Sequence, residues 1–339
     1  MAILVLTRRE VAALLTMDQC IAAVQRAFTL HAEGRSLGPG VLAVHAGGGS
    51  FHVKAAGLEL SRSYFAAKTN ANFPGNPARF GLPTIQGLVL LFDAERGEPL
   101  AVLDSVEITI LRTGAATAVA ARYLARPDAR TATIAGCGNQ GRVQLRALKA
   151  VRPVTRAFAY DADRGTAERY AAELSAELDI DVAVADRLAD AARASDLVVT
   201  CTPSRAPILF RDDVRPGTFV AGVGADNEHK QELDPALLGA ATVVVDSLEQ
   251  CATIGDLHHA LVAGVMARGQ VRAELGEVVA GRKPGRIDGE EIVVFDSTGT
   301  ALQDVAAAAA VYERARAAGI GTTIDFGGAA AAGERAHGT

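Results

Sequence analysis

The sequence predicts an α/β protein with two domains of different architecture. Its 339 residues exceed the roughly 100–200 residues of one typical domain. Apolar runs separated by turn signals such as PGNP and ERGEP fill residues 50–105, which is the pattern of antiparallel strands. From residue 131 onward short apolar strands alternate with helices, which predicts βαβ units and a parallel sheet.

The elements of the first hundred residues follow from capping and turn signals. Thr7 and Glu10 form a T-x-x-E capping box that opens a helix over residues 8–15, and a second amphipathic helix is predicted over 18–33. Strands are predicted over residues 50–55, 63–71, 84–94 and 99–105. A long alanine-rich helix over 106–125 then leads to the parallel sheet.

The second part of the chain reads as a series of strands, most of them followed by helices. The predicted strands are 131–135, 156–161, 181–185, 196–202, 218–224, 241–246 and 291–298. The predicted helices are 140–151, 164–178, one from Asp186, and a last helix over 301–319 that can pack back on the first domain.

Composition excludes several classes of protein. Hydrophobic residues make up 49% and charged residues 22%, which is ordinary for a globular chain. A net charge of −5 argues against a nucleic-acid partner, and no apolar run reaches the ~18 residues of a membrane span. The four cysteines, Cys20, Cys137, Cys201 and Cys251, form no C-x-x-C pair. We therefore expect reduced thiols and a cytoplasmic protein.

A glycine motif indicates where a ligand binds. Gly136, Gly138 and Gly141 are spaced G-x-G-x-x-G directly after the strand 131–135 and at the start of a helix. The first glycine permits the tight turn, the second lets a pyrophosphate approach the backbone, and the third lets helix and strand pack closely. The motif also occurs in turns without a ligand, so the strand and helix around it carry the prediction of a Rossmann domain.

An acidic residue supports the same interpretation. Asp161 ends the second strand, 20 residues after Gly141, where dinucleotide-binding domains place the acceptor for the ribose hydroxyls. Its charge would repel a 2′-phosphate, so NAD is the predicted cofactor and NADP is less favoured. Arg164 is close enough in sequence to accept that phosphate, which leaves NADP open.

Three charged residues are candidates for substrate chemistry. Arg112 lies inside an apolar helix and Lys68 in a strand with few other charges; each either faces a site or has an ordinary structural role. Asp226 follows the strand 218–224, at the sheet edge where open α/β sheets bind ligands, although it could also cap a helix. No metal is predicted, because the adjacent pair His258 and His259 would point to different sides of a helix.

Several long segments together resemble the ornithine cyclodeaminase/mu-crystallin family. The matching stretches are AAKTNANFPGNP, the segment from GLPTIQG to AARYLA, IAGCGNQG, GADNEHKQELD and VFDSTGTALQD. The resemblance implies a substrate-binding and dimerisation domain of residues 1–112, completed by 302–325, and an NAD-binding Rossmann domain of residues 113–301. Residues 326–339 are expected to form a flexible tail. A homodimer built by the first domain is also expected, because its strands are many and short and an open sheet edge invites pairing.

The resemblance also implies residue roles. Lys68 and Arg112 would bind the substrate carboxylate, Asp226 would transfer the proton, and Thr298 would line the substrate pocket. The implied cofactor contacts are Thr84, Gly136, Gly138, Asn139, Gln140, Gly141, Asp161, Thr202, Val223, Lys230 and Ser297.

One segment departs from the family pattern. Cyclodeaminases carry a second arginine for the carboxylate and then a glutamate for ornithine, but LGPGVLAVHAGGGS has neither. His52 and Lys54 follow instead, and Lys54 would serve as a point charge unless both residues only line the sheet.

The altered segment decides between three functions. We expect an NAD(P)-dependent amino-acid dehydrogenase or imine (ketimine) reductase that acts at the α-carbon of a small amino or imino acid. The first alternative is an ornithine cyclodeaminase, which forms proline and ammonia without net redox. The second is a non-catalytic ligand-binding protein like mu-crystallin, which the intact set of Lys68, Arg112 and Asp226 disfavours.

Overall fold

The computed structural model of the protein describes residues 2–327. Within that range seventeen strands and twelve α-helices form. The strands are β1 (Ala2–Leu6), β2 (Ser36–Ala46), β3 (Gly49–Glu59), β4 (Ser63–Asn72), β5 (Ile85–Asp93), β6 (Pro99–Asp104), β7 (Thr131–Ala135), β8 (Arg156–Tyr160), β9 (Asp181–Val184), β10 (Leu197–Thr200), β11 (Arg205–Leu209), β12 (Phe219–Gly222), β13 (Gln231–Leu233), β14 (Thr242–Val245), β15 (Ala273–Glu274), β16 (Val293–Asp296) and β17 (Thr322–Asp325). The helices are α1 (Arg8–Leu14), α2 (Met17–Ala32), α3 (Asn76–Phe80), α4 (Ser105–Leu124), α5 (Asn139–Val151), α6 (Arg164–Leu178), α7 (Leu188–Arg193), α8 (Pro235–Ala240), α9 (Leu248–Ile254), α10 (Asp256–Val262), α11 (Leu275–Val279) and α12 (Ala301–Ala318).

The first sheet has seven strands in the order β17-β1-β6-β5-β4-β3-β2. Strands β2 to β6 pair antiparallel, as predicted for residues 50–105. The N-terminal strand β1 instead runs parallel to β6 and antiparallel to β17. Strands β1 and β17 were not predicted from the sequence. Each is short, and its backbone hydrogen bonds are formed only with strands about a hundred residues or more away along the chain.

Strand β2 was also not predicted, and its composition explains why. It contains Gly38, Pro39 and Gly40, residues that usually interrupt a strand. Proline is tolerated in edge strands and at irregularities of the ladder. Both conditions apply here, since β2 is the edge of the sheet and its register with β3 shifts between Leu37 and Gly40.

The second sheet has eight strands in the order β15-β14-β16-β12-β10-β7-β8-β9, and all its pairs are parallel. Starting from β7, the strand order β9-β8-β7-β10-β12 is that of a Rossmann domain. The direction of winding reverses between β7 and β10. Ligands bind such sheets at this switch point, outside the carboxyl ends of the strands. The predicted fold class is confirmed.

Two helices connect the two sheets. Helix α4 packs on α2 and on α5, so the predicted boundary between residues 112 and 113 lies inside one continuous helix. Helix α12 returns to the first sheet, where it packs on α2, β3 and β4. Residues 326 and 327 of the predicted tail are described, and residues 328–339 lie outside the described range.

Helix α12 is built for close packing. Its middle, residues 306–309, is a run of alanines that are all buried, and a helix that is apolar around its whole circumference belongs inside the protein. Small side chains let this helix lie close against the inner face of the first sheet. The polar residues of its first turn, Gln303 and Asp304, are thereby carried into the interior.

Among residues 2–327, no helix combines the length and the apolar character that crossing a bilayer requires.

Candidate active site

The three glycines of the turn after β7 have three different surroundings. Gly136 adopts φ +100°, a region that favours glycine. A Cβ on Gly141 would lie 2.1 Å from the carbonyl oxygen of Gly136, so only glycine lets α5 pack this closely on β7. A Cβ on Gly138 would meet no heavy atom within 4 Å, so nothing in the fold itself requires a glycine at 138.

The start of helix α5 offers free donors beside that open space. Gly138 is the N-cap of this 13-residue helix and supplies no side-chain cap, so backbone N–H groups of the first turn point toward the open side. The Oε1 atom of Gln140 is buried there without a hydrogen-bond partner. A phosphate group fits a helix N-terminus of this kind.

Asp161 is fixed at the end of β8, next to the same turn. Its Oδ2 accepts a hydrogen bond from the N–H of Cys137 at 2.8 Å, and its Oδ1 accepts from the N–H of Asp163 at 3.0 Å. Arg164, which could have received a 2′-phosphate, pairs instead with Glu168 at 3.0 Å and with Asp186. The geometry therefore suits a ribose with free hydroxyls.

Most of the other predicted cofactor contacts lie along the same carboxyl edge. Thr202 follows β10, Val223 follows β12, and Ser297 follows β16. Lys230 directly precedes β13 and its Nζ donates to Asp226 at 2.7 Å. Thr84 is separate: it precedes β5 of the first sheet, and no hydrogen bond among the described residues joins it to the glycine turn.

Two buried lysines lie side by side on neighbouring strands of the first sheet. Lys54 of β3 and Lys68 of β4 are direct register partners, and Arg112 of α4 is buried near them. Like charges placed directly opposite each other in a sheet destabilise it. A nearby negative charge is therefore needed to stabilise this group.

Asp304 supplies that negative charge. Its Oδ1 lies 2.8 Å from Nζ of Lys68 and 3.1 Å from Nε of Arg112. Gln303 accepts a hydrogen bond from Nη1 of Arg112 at 3.0 Å. The turn at Gly299, with φ +75°, lies so close that a Cβ there would be 2.3 Å from the same Nη1 atom.

Asp304 and Gln303 were not among the residues predicted from the sequence. The signal was available, because Gln303 and Asp304 are the only polar residues in the apolar run ALQDVAAAAAV. The argument that singled out Arg112 in an apolar helix applies equally to Asp304.

The two lysines differ in what holds their charge. Lys54 donates to the carbonyl oxygens of Thr298 at 3.0 Å and Gly299 at 2.7 Å, and burial together with Arg112 lowers its pKa. Burial lowers the pKa of Lys68 to about 7, although Asp304 opposes the shift. The hydroxyl of Thr298 is already bound to Asp246 at 3.0 Å and Gln250 at 2.9 Å.

Asp226 is the accessible carboxylate of the group, with 51% of its side chain exposed. Enough protein surrounds it for burial to raise its pKa, but Lys230, then Lys54 and His52, lower the pKa more, and the net shift is downward. His52 shares a hydrogen bond of 2.8 Å with Ser50, and burial lowers its pKa. The structure thus brings Asp226, His52, Lys54, Lys68 and Arg112 into one group of titratable side chains.

The comparison with protein families agrees with this geometry. Residues 1–319 match the profile of the ornithine cyclodeaminase/mu-crystallin family. The chain belongs to this family. The predicted resemblance is confirmed, and the match covers the second sheet and all of the first sheet except β17.

Three relatives are similar over nearly their whole length. The alanine dehydrogenase of Archaeoglobus fulgidus is 40% identical, with 96% of this chain and 99% of that protein covered. The structure of the Δ1-pyrroline-2-carboxylate reductase of Thermococcus litoralis, in complex with NADH and L-proline, has 34% identity and a TM-score of 0.91, and covers 95% and 100% of the two chains. The iminosuccinate reductase of Paracoccus denitrificans, in complex with NAD⁺, has 31% identity and a TM-score of 0.90, and covers 96% and 100%.

Replacing two glycines of the turn should separate binding from folding. In Gly138→Ala the methyl group enters open space, so thermal unfolding should stay at the wild-type temperature while NADH binds at least about tenfold more weakly, a loss of about 1.4 kcal/mol. Gly141→Ala is the matched control, because its Cβ collides with Gly136 and should lower the unfolding temperature. Calorimetric titration and thermal unfolding measure both. Wild-type NADH affinity in Gly138→Ala would exclude this turn as the pyrophosphate site.

Proposed function

We propose that the protein is an NAD-dependent oxidoreductase that acts at the α-carbon of a small amino or imino acid, as an amino-acid dehydrogenase or an imine (ketimine) reductase. One observation carries the proposal: three buried cations and an accessible carboxylate form one group at the carboxyl edge of a dinucleotide-binding sheet. The reactions named for its relatives, on alanine, pyrroline-2-carboxylate and iminosuccinate, belong to this class.

NAD is the cofactor, and the residues described above fit it. The glycine turn and the N-terminus of α5 would hold the pyrophosphate, and Asp161 would accept from the ribose hydroxyls. Thr202, Val223, Lys230 and Ser297 would line its path along the sheet edge. When bound, the nicotinamide supplies or accepts the hydride.

Lys68 and Arg112 bind the substrate carboxylate in this proposal. Asp304 lies beside Nε of Arg112 and Gln303 accepts from its Nη1, which positions the guanidinium and leaves Nη2 for a ligand. Lys54, held by two backbone carbonyls, adds a third positive charge. A carboxylate bound here would also relieve the repulsion between the two facing lysines.

Asp226 transfers the proton. An imine accepts a hydride well only when its nitrogen is protonated, and a nearby carboxylate stabilises that cation. In the reverse direction the same carboxylate accepts a proton from the amine. Lys230 keeps Asp226 ionised by lowering its pKa, which suits both roles.

Cyclodeamination of ornithine is the alternative. That substrate carries a second ammonium group, and the residues that stand where the family has its glutamate are His52 and Lys54. Lys54 is a buried cation, and it would repel the ammonium. Non-catalytic binding is a second alternative, and it is disfavoured because a pure binder has no need for a positioned, ionised Asp226.

We also propose the domain organisation and assembly. Residues 1–112 with 302–325 form the substrate-binding and dimerisation domain, and residues 113–301 form the NAD-binding domain. Leu42, Val53, Thr69 and Leu88 lie in one row across four strands, on the face away from the buried lysines. Leu42, Val44, Phe51, Leu88 and Leu90 are exposed on that face, and an apolar patch of this extent marks an interface. A second copy of the chain is the proposed occupant.

A cytoplasmic location is part of the proposal. All four cysteines are free thiols, as expected in a reducing compartment.

The function is tested with NADH absorbance. Purified enzyme is assayed with a panel of amino acids and NAD⁺, and with keto acids plus ammonia or amines and NADH. A net change in absorbance is expected for one member of the panel. Ornithine consumed without an absorbance change would show the cyclodeaminase alternative, and no turnover with saturable ligand binding would show the binding protein.

Substituting the proton-transfer residue should affect kcat. Asp226→Asn keeps the size of the side chain but cannot exchange the proton, so kcat should fall by about 10²–10⁴-fold with NADH affinity nearly unchanged. Arg112→Lys is the contrasting variant, since a point charge replaces a planar fork and KM should rise instead. If Asp226→Asn keeps most of its turnover while hydride transfer limits the rate, the role falls to His52 or Lys54.

The affinity for the substrate carboxylate should depend on pH. Lys68 has a pKa of about 7 and faces Asp304, Arg112 and Lys54. Above that pH it loses its proton and its charge, so KM should rise as the pH increases from 6.5 to 9. His52→Asn is the control and should show the same rise, because the pKa of His52 is lowered and this residue is already neutral in that range. A KM that stays constant over the range would contradict the assignment of Lys68.

Charge placed on the apolar sheet face should break the dimer. Wild-type protein should have twice the 35.1 kDa mass of the chain in light scattering at micromolar concentration. The double variant Leu42→Asp/Leu88→Asp should be monomeric. Ile287→Asp, at an exposed apolar residue outside the first sheet, should remain dimeric. A dimeric double variant would place the interface elsewhere.

A further inference from the structure

A fully buried glutamate lies behind the catalytic edge, and the function proposed above gives it no role. Glu232 is in the short strand β13 and is inaccessible to solvent. Its carboxylate accepts four hydrogen bonds, from two backbone N–H groups and two hydroxyls. Burial raises the pKa of Glu232, and the hydrogen bonds from Thr202, Thr200 and Gly224 oppose that shift. With all four positions around it taken by donors, the carboxylate serves as an acceptor for both loops.

The donors come from two separate loops. The Thr202 loop (residues 201–204) follows β10, and Oε1 of Glu232 accepts from its Thr202 N–H at 2.5 Å and Thr202 Oγ1 at 2.7 Å. The Asp226 loop (residues 223–230) follows β12, and Oε2 accepts from its Gly224 N–H at 2.7 Å. The same Oε2 accepts from Thr200 Oγ1, at the end of β10, at 2.9 Å.

The two loops are in close contact at Gly224. A Cβ on Gly224 would lie 2.3 Å from the carbonyl oxygen of Thr202 and 2.6 Å from Oε2 of Glu232. Glu232 is itself held from behind, because Oδ1 of Asp256 accepts from the N–H groups of Glu232 at 2.8 Å and Leu233 at 3.0 Å. The carboxylate therefore connects two loops to a fixed point in the core.

Each loop carries a residue of the proposed site. Thr202 is a proposed cofactor contact, and Asp226 lies two residues after Gly224 in the second loop. Lys230, the ion-pair partner of Asp226, stands two residues before Glu232. We propose that Glu232 is a positioning residue, whose carboxylate fixes the separation of the Thr202 loop and the Asp226 loop and so places the proton-transfer group beside the cofactor. This inference rests on the proposed function.

The substitution Glu232→Gln tests the carboxylate with little change of shape. A glutamine can turn its oxygen toward only one loop, and its NH₂ then faces a backbone N–H of the other loop. One loop is released in either orientation. Since a displacement of about 1 Å can cost about 10²-fold in rate, kcat/KM should fall by about 10- to 100-fold.

Asp196→Asn is the matched control, because Asp196 lies at the opposite end of β10 from the Thr202 loop. Asp196 precedes β10 and accepts from the N–H groups of Arg130 at 2.8 Å and Thr131 at 3.0 Å, and it pairs with Arg126 and Arg215. Its loss should destabilise the fold to a similar degree but leave kcat/KM within about threefold of wild type. Thr200→Val is a milder test that removes one of the four hydrogen bonds, and it should lower kcat/KM by a smaller factor.

The pH profile separates positioning from general destabilisation. Lys230, Lys54 and His52 are the charged groups that lower the pKa of Asp226. If Glu232→Gln loosens the Asp226–Lys230 pair, the pKa of Asp226 rises and the acid limb of kcat/KM moves to higher pH. Asp196→Asn should leave that limb in place.

Hydrogen exchange tests, without any substrate, whether Glu232 holds the two loops together. Peptides that cover residues 201–204 and 223–230 should exchange faster in Glu232→Gln, and not in Asp196→Asn. If the wild-type enzyme turns over no member of the substrate panel, the proposed function is wrong, but this experiment still shows whether Glu232 holds the two loops in place. Unchanged exchange in Glu232→Gln overturns the inference, and so does a kcat/KM equal to that of Asp196→Asn. If Glu232→Gln does not fold, the test is made with Thr200→Val, and exchange at the wild-type rate in both of its loops overturns the inference.

Discussion

The ion pairs of Asp304 with Lys68 and Arg112 are the constraint on which the architecture depends. Three cations are buried together, two of them facing each other across β3 and β4. Without an anion such a group would be strongly unfavourable, and removing one partner of a buried pair typically costs about 3–5 kcal/mol. The chain brings Asp304 there by leaving the Rossmann sheet after β16 and returning α12 along the first sheet. The return of the last helix thus supplies the counter-charge of Lys68 and Arg112 and also buries the helix's own apolar surface.

The parallel sheet solves a different problem, that of bringing residues far apart in sequence to one edge. Because all eight strands run in the same direction, the residues that follow β7, β8, β10, β12 and β16 meet at the same side. The short side strand β13 then supplies Glu232 to two of these loops. Rigid strands set the positions of the loop ends, and one buried carboxylate sets their separation.

The sequence predicted what depends on local patterns and missed what depends on distant partners. The glycine turn, Asp161 and the strand–helix alternation were predicted because spacing along the chain determines them. Strands β1 and β17 were missed because they exist only through pairing with distant strands, and β2 because its glycines and proline indicate a loop. Asp304 and Glu232 were missed for a related reason. Asp304 pairs with Lys68, 236 residues away along the chain, and Glu232 accepts from Thr202 and Thr200, 30 and 32 residues away. Only the observation of a charged residue in an apolar segment could have pointed to Asp304.

The two halves of the site differ in how much they can vary. On the Rossmann side, Glu232, Gly224 and Thr202 are in contact through backbone groups, so almost any substitution there displaces Asp226. On the first sheet, by contrast, Lys54 and His52 belong to the regular strand β3, and their contacts to the rest of the site are made by side-chain atoms. In the proposed function the parallel sheet therefore holds the proton-transfer group, while β3, where this chain departs from the cyclodeaminase pattern, would select the substrate.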